Sequence, residues 1–251
     1  WPAALGEAEG RMISEHIGRH GVSITHQEAI ARVLTDAAGK VTGVVTESGK
    51  RLDCDLLGVT VGVHPATEWL SGVRTPPETG RGVVVDRAFR TSLPDVWAAG
   101  DCAEIRAEGR APLVEQIWYS AKRQGEAAAK SMLGDGVAYA PPIFYNSSKF
   151  FEIEYTTVGS FRAAGSREFY ARVLGKEVSV RIAEADGAVA GFNMLGSRWN
   201  HTVFERWIAE RRPLAWCMDR LHQAQFDFEF GRQDLTDIRR QFAARRMEAA
   251  A

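Results

Sequence analysis

The stretch from Thr91 to Cys102, T-S-L-P-D-V-W-A-A-G-D-C, constrains the fold more than any other part of this chain. A turn signal at Ser92-Leu93-Pro94-Asp95 leads into the short apolar run Val96-Trp97-Ala98-Ala99, which predicts a buried strand ending at Gly100-Asp101. Open α/β sheets collect ligands just beyond the carboxyl ends of their strands, so a glycine and a carboxylate there call for a chemical reading. Gly100 would let the backbone pass close to a ligand, and Asp101 would accept hydrogen bonds from sugar-like hydroxyls. Taken alone, the dipeptide reads better as an ordinary strand-end turn.

The 251 residues, 45% hydrophobic and 25% charged, suffice for one large or two ordinary domains, and no apolar run reaches the length needed to span a bilayer. No signal-peptide pattern opens the chain, so a cytoplasmic location is expected. A net charge of -1 gives no reason to expect nucleic acid, and Arg239, Arg240, Arg245 and Arg246 read as the solvated face of a terminal helix. Cys54, Cys102 and Cys217 show no C-x-x-C spacing, so neither a redox dithiol nor a zinc site is encoded. His16 and His20 stand i, i+4 on a predicted helix without a visible third ligand, and surface histidines are expected rather than a metal. Trp199 and His201 are assigned packing and capping, and Cys102 a packing role.

In chain order, residues 5–20 carry helical periodicity, and Gly21 precedes a strand at Val22 to Thr25. Apolar or alternating runs follow at residues 29–33, 41–46 and 51–61, with turns at Ala38-Gly39-Lys40 and Ser48-Gly49-Lys50. A helix is predicted from Leu113 to Leu133, with small residues Ala121, Gly125 and Ala128 allowing close packing and Glu115 in its first turn, where the dipole favours an anion. Composition changes at Gly134-Asp135-Gly136 and Pro141-Pro142. Strand-like runs then occupy residues 149–159, 168–174, 177–185 and 188–195, the last opened by a hairpin signal at Asp186-Gly187. Helices are predicted at 200–211, 213–223 and 235–247.

The pattern T-x-x-P-x-V-[aromatic]-A-x-G-D, together with Gly82 to Arg90 before it, resembles the second flavin-binding motif of the FAD-dependent pyridine nucleotide-disulfide oxidoreductase superfamily. The resemblance continues in W-x-x-A-x-x-Q-G-x-x-A-A from Trp118 to Ala129, in the run from Asp55 to Pro65, and more loosely from Tyr145 to Gly159. It implies an α/β plus α+β fold: partial Rossmann-like nucleotide-binding domains, then an antiparallel-sheet-and-helix interface domain. The implied parts are residues 1–61, the second half of an NAD(P)H-binding domain; 62–138, the later part of an FAD-binding domain; and 139–251, an interface or dimerisation domain.

By the same resemblance, Asp101 with Gly100 would bind the ribitol chain of FAD. Val114, Glu115 and Gln116 would bring a helix amino end to the flavin's pyrimidine edge, and Gly62 would lie near the nicotinamide. Neither G-x-G-x-x-G phosphate loop of the superfamily occurs, so the chain is expected to be the later portion of an enzyme passing hydride from NAD(P)H to FAD. Both cofactors would then depend on a missing N-terminal half. No His-Pro pair follows residue 140, which argues against the dithiol branch. Electrons would leave for a small-molecule or redox-protein acceptor, with no catalytic side chain identified. The competing reading is a flavin-free interaction module. Its abundant aromatics beyond Tyr139 suggest a homodimer, or association with the missing half.

Overall fold

The computed structural model describes residues 5–162, 165–226 and 234–248. Its contacts divide the chain into two compact units, residues 17–63 and the remainder. Together they have the mixed α/β character that the sequence implies, with parallel and antiparallel pairing in separate sheets.

The smaller unit holds strands β1 (Ile30–Thr35), β2 (Val41–Thr46) and β3 (Arg51–Asp53), an antiparallel meander in the order β1-β2-β3. Its two hairpin turns sit where the glycines place them, at Gly39 and Gly49, both with positive φ. Two expectations fail here. Val22 to Thr25 forms no strand, and the run from 51 to 61 is a strand only to Asp53, its last backbone bond running from the Cys54 N–H to the Thr42 carbonyl. Beyond that point Leu56, Val59, Val61 and Val63 lie 69–92% exposed, since a β-branched run becomes a strand only where a neighbour takes its hydrogen bonds.

Helix α1 (Glu7–Arg19), which belongs to the larger unit as far as His16, buries Met12 and Ile13. Strands β4 (Val83–Val85) and β5 (Ala103–Ile105) form a parallel pair. They stand so close at their start that a Cβ on Gly82 would come within 2.6 Å of the Cys102 carbonyl oxygen. Val85, Phe89, Ala103 and Ile105 pack with Ala128 of helix α2 (Trp118–Met132) and with Tyr139 into one core.

The second core belongs to a five-stranded antiparallel sheet of β6 (Tyr145–Phe150), β7 (Ile153–Gly159), β8 (Arg167–Arg172), β9 (Ser179–Ala185) and β10 (Ala188–Leu195), in the order β6-β7-β10-β9-β8. Residues 149–159, read as one strand, are a hairpin: Phe151 turns the chain with φ 55° and Phe150 pairs with Ile153. Helices α3 (His201–Ala209), α4 (Leu214–Asp219) and α5 (Thr236–Glu248) cover one face, where Phe192, Phe204 and Trp207 are fully buried. Asn200 caps α3 through its side chain, which accepts from the Thr202 N–H. The arginines of α5 are exposed, as its sequence predicts.

Most of the aromatics that suggested an interface are spent inside this domain. Tyr155, Trp199 and Trp207 are buried and Phe150 and Trp216 half-buried, while Phe151 and Phe226 are exposed. Phe228 and Phe230 lie outside the described residues. His16 is likewise no surface group: it is 5% exposed, with Nδ1 2.6 Å from Glu177 and Nε2 3.2 Å from Glu152. His20 is exposed, as expected.

The opposite face of the sheet is polar and receives α1. Glu9, fully buried, meets Arg181 of β9 at 2.8 Å and accepts from Asn193 of β10 at 3.5 Å. Arg181 also pairs with Glu168 at 3.3 Å and lies over the Phe161 ring. Burial raises the Glu9 carboxyl above the ordinary carboxylate range, against the pull of Arg181, and its Oε1 has no hydrogen-bond partner among the described residues.

Candidate functional site

Gly100 and Asp101 do not end a strand. They form, with Cys102, a single 3₁₀ turn that immediately precedes β5, so the carboxylate stands at the amino end of a strand. The apolar run before them is not a strand either: Val96 to Ala99 is exposed or half-buried, and its pairing is one isolated bridge between Trp97 and Arg90. That bridge closes the Ser92–Asp95 turn, and the Trp97 indole N–H is committed to Ser131 Oγ at 3.0 Å. Gly100 has φ 81°, a left-handed conformation that favours glycine. Asp101 is exposed and has no ion-pair or hydrogen-bond partner among the described residues.

The turn sits against α2. A Cβ on Gly100 would lie 3.5 Å from that of Ala121, and the Gly100 N–H donates to Gln124 Oε1 at 2.8 Å. The helix starts later than its sequence predicts, at Trp118, because Leu113 and Ile105 exchange backbone hydrogen bonds of 2.8 and 3.0 Å. An extended residue held in such a bridge cannot also begin a helix. Val114, Glu115 and Gln116 therefore form a half-buried extended segment entering α2, and Ile117 at the N-cap offers no side-chain acceptor. The first backbone N–H groups of α2 are left without a side-chain cap, beside the Gly100 turn.

Glu115 turns into the protein. Its carboxylate accepts from Ser120 Oγ at 3.1 Å, Gln124 Nε2 at 3.1 Å and the Tyr139 hydroxyl at 3.3 Å. Burial, and then the negative charge of Glu115, push the Tyr139 phenol up to about 12, so it remains a donor. Gln124, Ser120 and Tyr139 were not among the candidates. Gln124 stood in the W-x-x-A-x-x-Q-G run, and with Ser120 and Ala128 it repeats every four residues along the buried face of α2. Gly125, expected on that face, is exposed with open space around it.

Two further aromatic features flank the start of α2. Trp118 is 70% exposed and meets Tyr119 edge-on, while Tyr145 stacks on His201 with ring centroids 3.7 Å apart. His201 is thus a stacking residue at the start of α3, and burial lowers its pKa. Cys102 is half-buried, its thiol donating to the Ala99 carbonyl at 3.5 Å. Gly62, with φ 112° and open space around it, belongs to the smaller unit, whereas the other five candidates belong to the larger. Asp101 lines neither of two open cavities, one of about 520 Å³ along the Arg90–Trp97 turn and one of about 790 Å³ on the polar face of the five-stranded sheet beside Arg181.

An exposed carboxylate and an uncapped helix start, held together by a glycine turn, can accept hydrogen bonds from hydroxyls and donate N–H groups to an electron-rich ring edge. The family described as pyridine nucleotide-disulphide oxidoreductase matches residues 3–125. The 5,5'-dehydrodivanillate O-demethylase ferredoxin reductase subunit of a Sphingobium species is 30% identical over 188 residues, covering 73% of this chain and 41% of that protein. The ferredoxin–NAD(+) reductase component of the biphenyl dioxygenase system of Paraburkholderia xenovorans is 31% identical over 135 residues, 53% of this chain and 32% of its own. The chain spans less than half the length of either. Among solved structures, an NAD-dependent persulfide reductase from A. fulgidus shares the fold with a TM-score of 0.74 over 99% of this chain and 49% of that one, at 18% identity.

Proposed function

We propose that this chain, whose residues 3–125 match the family described as pyridine nucleotide-disulphide oxidoreductase, is the later portion of a flavin-dependent NAD(P)H oxidoreductase. The observation that carries the reading is the Gly100-Asp101 turn set against the uncapped start of α2. Residues present fit the ribitol and ring end of FAD: Asp101 offers an exposed, acceptor-only carboxylate, and the first N–H groups of α2 favour negative charge. When bound, FAD supplies the two-electron chemistry by which hydride from NAD(P)H becomes electrons for an acceptor. The protein's part is to hold and tune. Asp101 accepts ribitol hydroxyls, Val114 and Gln116 line the approach to α2, and Glu115 acts from behind.

In this reading residues 1–61 complete an NAD(P)H-binding domain with Gly62 near the nicotinamide, 62–138 an FAD-binding domain, and 139–251 an interface domain through which the protein dimerises. The exposed Phe151 and Phe226 are the aromatics that support such an interface, and sedimentation at micromolar concentration tests it: a monomer overturns the dimer. Two of the relatives are named as ferredoxin reductases, which favours a redox protein over a small molecule as acceptor. Cys54, Cys102 and Cys217 are free thiols, in keeping with a cytoplasmic location.

The chain carries no glycine-rich phosphate loop, so by itself it is expected to bind FAD weakly and to be inactive. Asp101→Ala should weaken that binding about tenfold to a hundredfold, the effect of losing hydrogen bonds to a charged acceptor. Equilibrium dialysis of FAD against both proteins checks this. Equal affinities would reduce Gly100-Asp101 to a turn.

A further inference from the structure

The contacts behind the Gly100 turn have a direction. Gln124 is 1% exposed, so its amide cannot trade partners with water. Its Oε1 accepts from the Gly100 N–H at 2.8 Å while its Nε2 donates to Glu115 Oε2 at 3.1 Å. Reversing that amide would set NH₂ against N–H and carbonyl against carboxylate, so the acceptor-only Glu115 decides which end faces Gly100. Glu115 is in turn held by Ser120 at 3.1 Å and by Tyr139 at 3.3 Å, the latter packed on Phe89 with ring centroids 5.1 Å apart.

We infer that Glu115 and Gln124 are positioning residues: Glu115, without touching cofactor, orients Gln124, and Gln124 fixes the Gly100 peptide and with it the place of the Asp101 carboxylate beside α2. The inference rests on the flavin reading above. It assigns Glu115 a task different from contact with the flavin edge. The relay also ties the cofactor turn to the segment around Tyr139, where the chain leaves α2 for the five-stranded sheet.

The test is a donor–acceptor swap in this chain, read by amide hydrogen exchange at Gly100 and by FAD titrated to millimolar concentration. Gln124→Glu keeps an acceptor for the Gly100 N–H but sets a second carboxylate against Glu115. It should speed Gly100 exchange and weaken FAD binding, each about tenfold. Glu115→Gln combined with Gln124→Glu restores one donor facing one acceptor, and both readouts should return toward the wild type, a rescue that a merely structural role does not give. Glu115→Gln alone adds no charge and carries the test where Gln124→Glu does not fold. Unchanged Gly100 exchange in the single variants overturns the relay. Altered exchange with unaltered FAD affinity, where Asp101→Ala does weaken FAD, overturns the positioning role and leaves the flavin reading standing. If Asp101→Ala has no effect, the flavin reading falls and the inference with it.

Discussion

Arg181→Ala is expected to cost about 3–5 kcal/mol, because it strands a carboxylate in the interior rather than merely deleting an ion pair. Its partner Glu9 is fully buried, 2.8 Å from Arg181, with one oxygen lacking any hydrogen-bond partner among the described residues. The loss should depend on pH in a definite sense. Burial already raises the folded pKa of Glu9, and Arg181 is the principal group lowering it. A carboxyl raised on folding contributes its full stability below its unfolded value and loses it as pH rises through the folded value. Without Arg181 the folded value climbs further, so the variant should be weakened more at neutral than at acid pH. Urea denaturation at both checks it, and an equal loss at both would mean that Glu9 is not the group left stranded. Glu9→Leu combined with Arg181→Met should recover most of the stability, since apolar packing commonly replaces a buried ion pair without loss.

Trp207→Ala should be comparably severe, about 3–5 kcal/mol, through cavity formation beneath α3. The ring is fully buried and packs on Phe204, Phe192 and Trp216 at centroid distances of 5.7, 6.1 and 5.7 Å. Its indole N–H, however, has no partner among the described residues. Trp207→Phe removes that stranded donor along with part of the ring, so the two effects oppose each other and its cost should be well below that of alanine. Denaturant midpoints of the two variants separate these contributions. Similar losses would show that the N–H is satisfied.

Local chemistry made much of this fold legible. Asp186 and Gly187, both with positive φ, turn the chain where the sequence places a hairpin, and β10 spans the residues assigned to it. Helices α1 and α3 fall inside their predicted ranges because each shows apolar periodicity between recognisable ends, while α5 runs one residue past its predicted end, to Glu248. Tertiary competition was not legible. Val96 to Ala99 has the apolarity of a buried strand, yet Val96 and Ala98 spend their backbone hydrogen bonds on Thr91 and Phe89, closing a turn. Leu113 looks like the first residue of an amphipathic helix, and its pairing with Ile105 defers the helix to Trp118. At the candidate site the sequence located the turn and the helix. It did not reveal that Glu115 points inward, because that depends on Tyr139, 24 residues away. The Glu9–Arg181 contact had no local signal at all.

The strand order β6-β7-β10-β9-β8 also bears on how the protein is made. A ribosome releases β7 well before β10, yet β7 lies between β6 and β10 in the finished sheet. Until residue 195 has emerged, β6 and β7 can form only a two-stranded ribbon, which is marginal in water. Meanwhile β8 and β9 can pair as a hairpin, and β10 extends it to a continuous meander as it emerges. Closure of the sheet is therefore a late joining of two preformed pieces along the β7–β10 seam, and the helices that shield its apolar face come later still. Nascent chains stalled before β10 should be the ones that most need a chaperone.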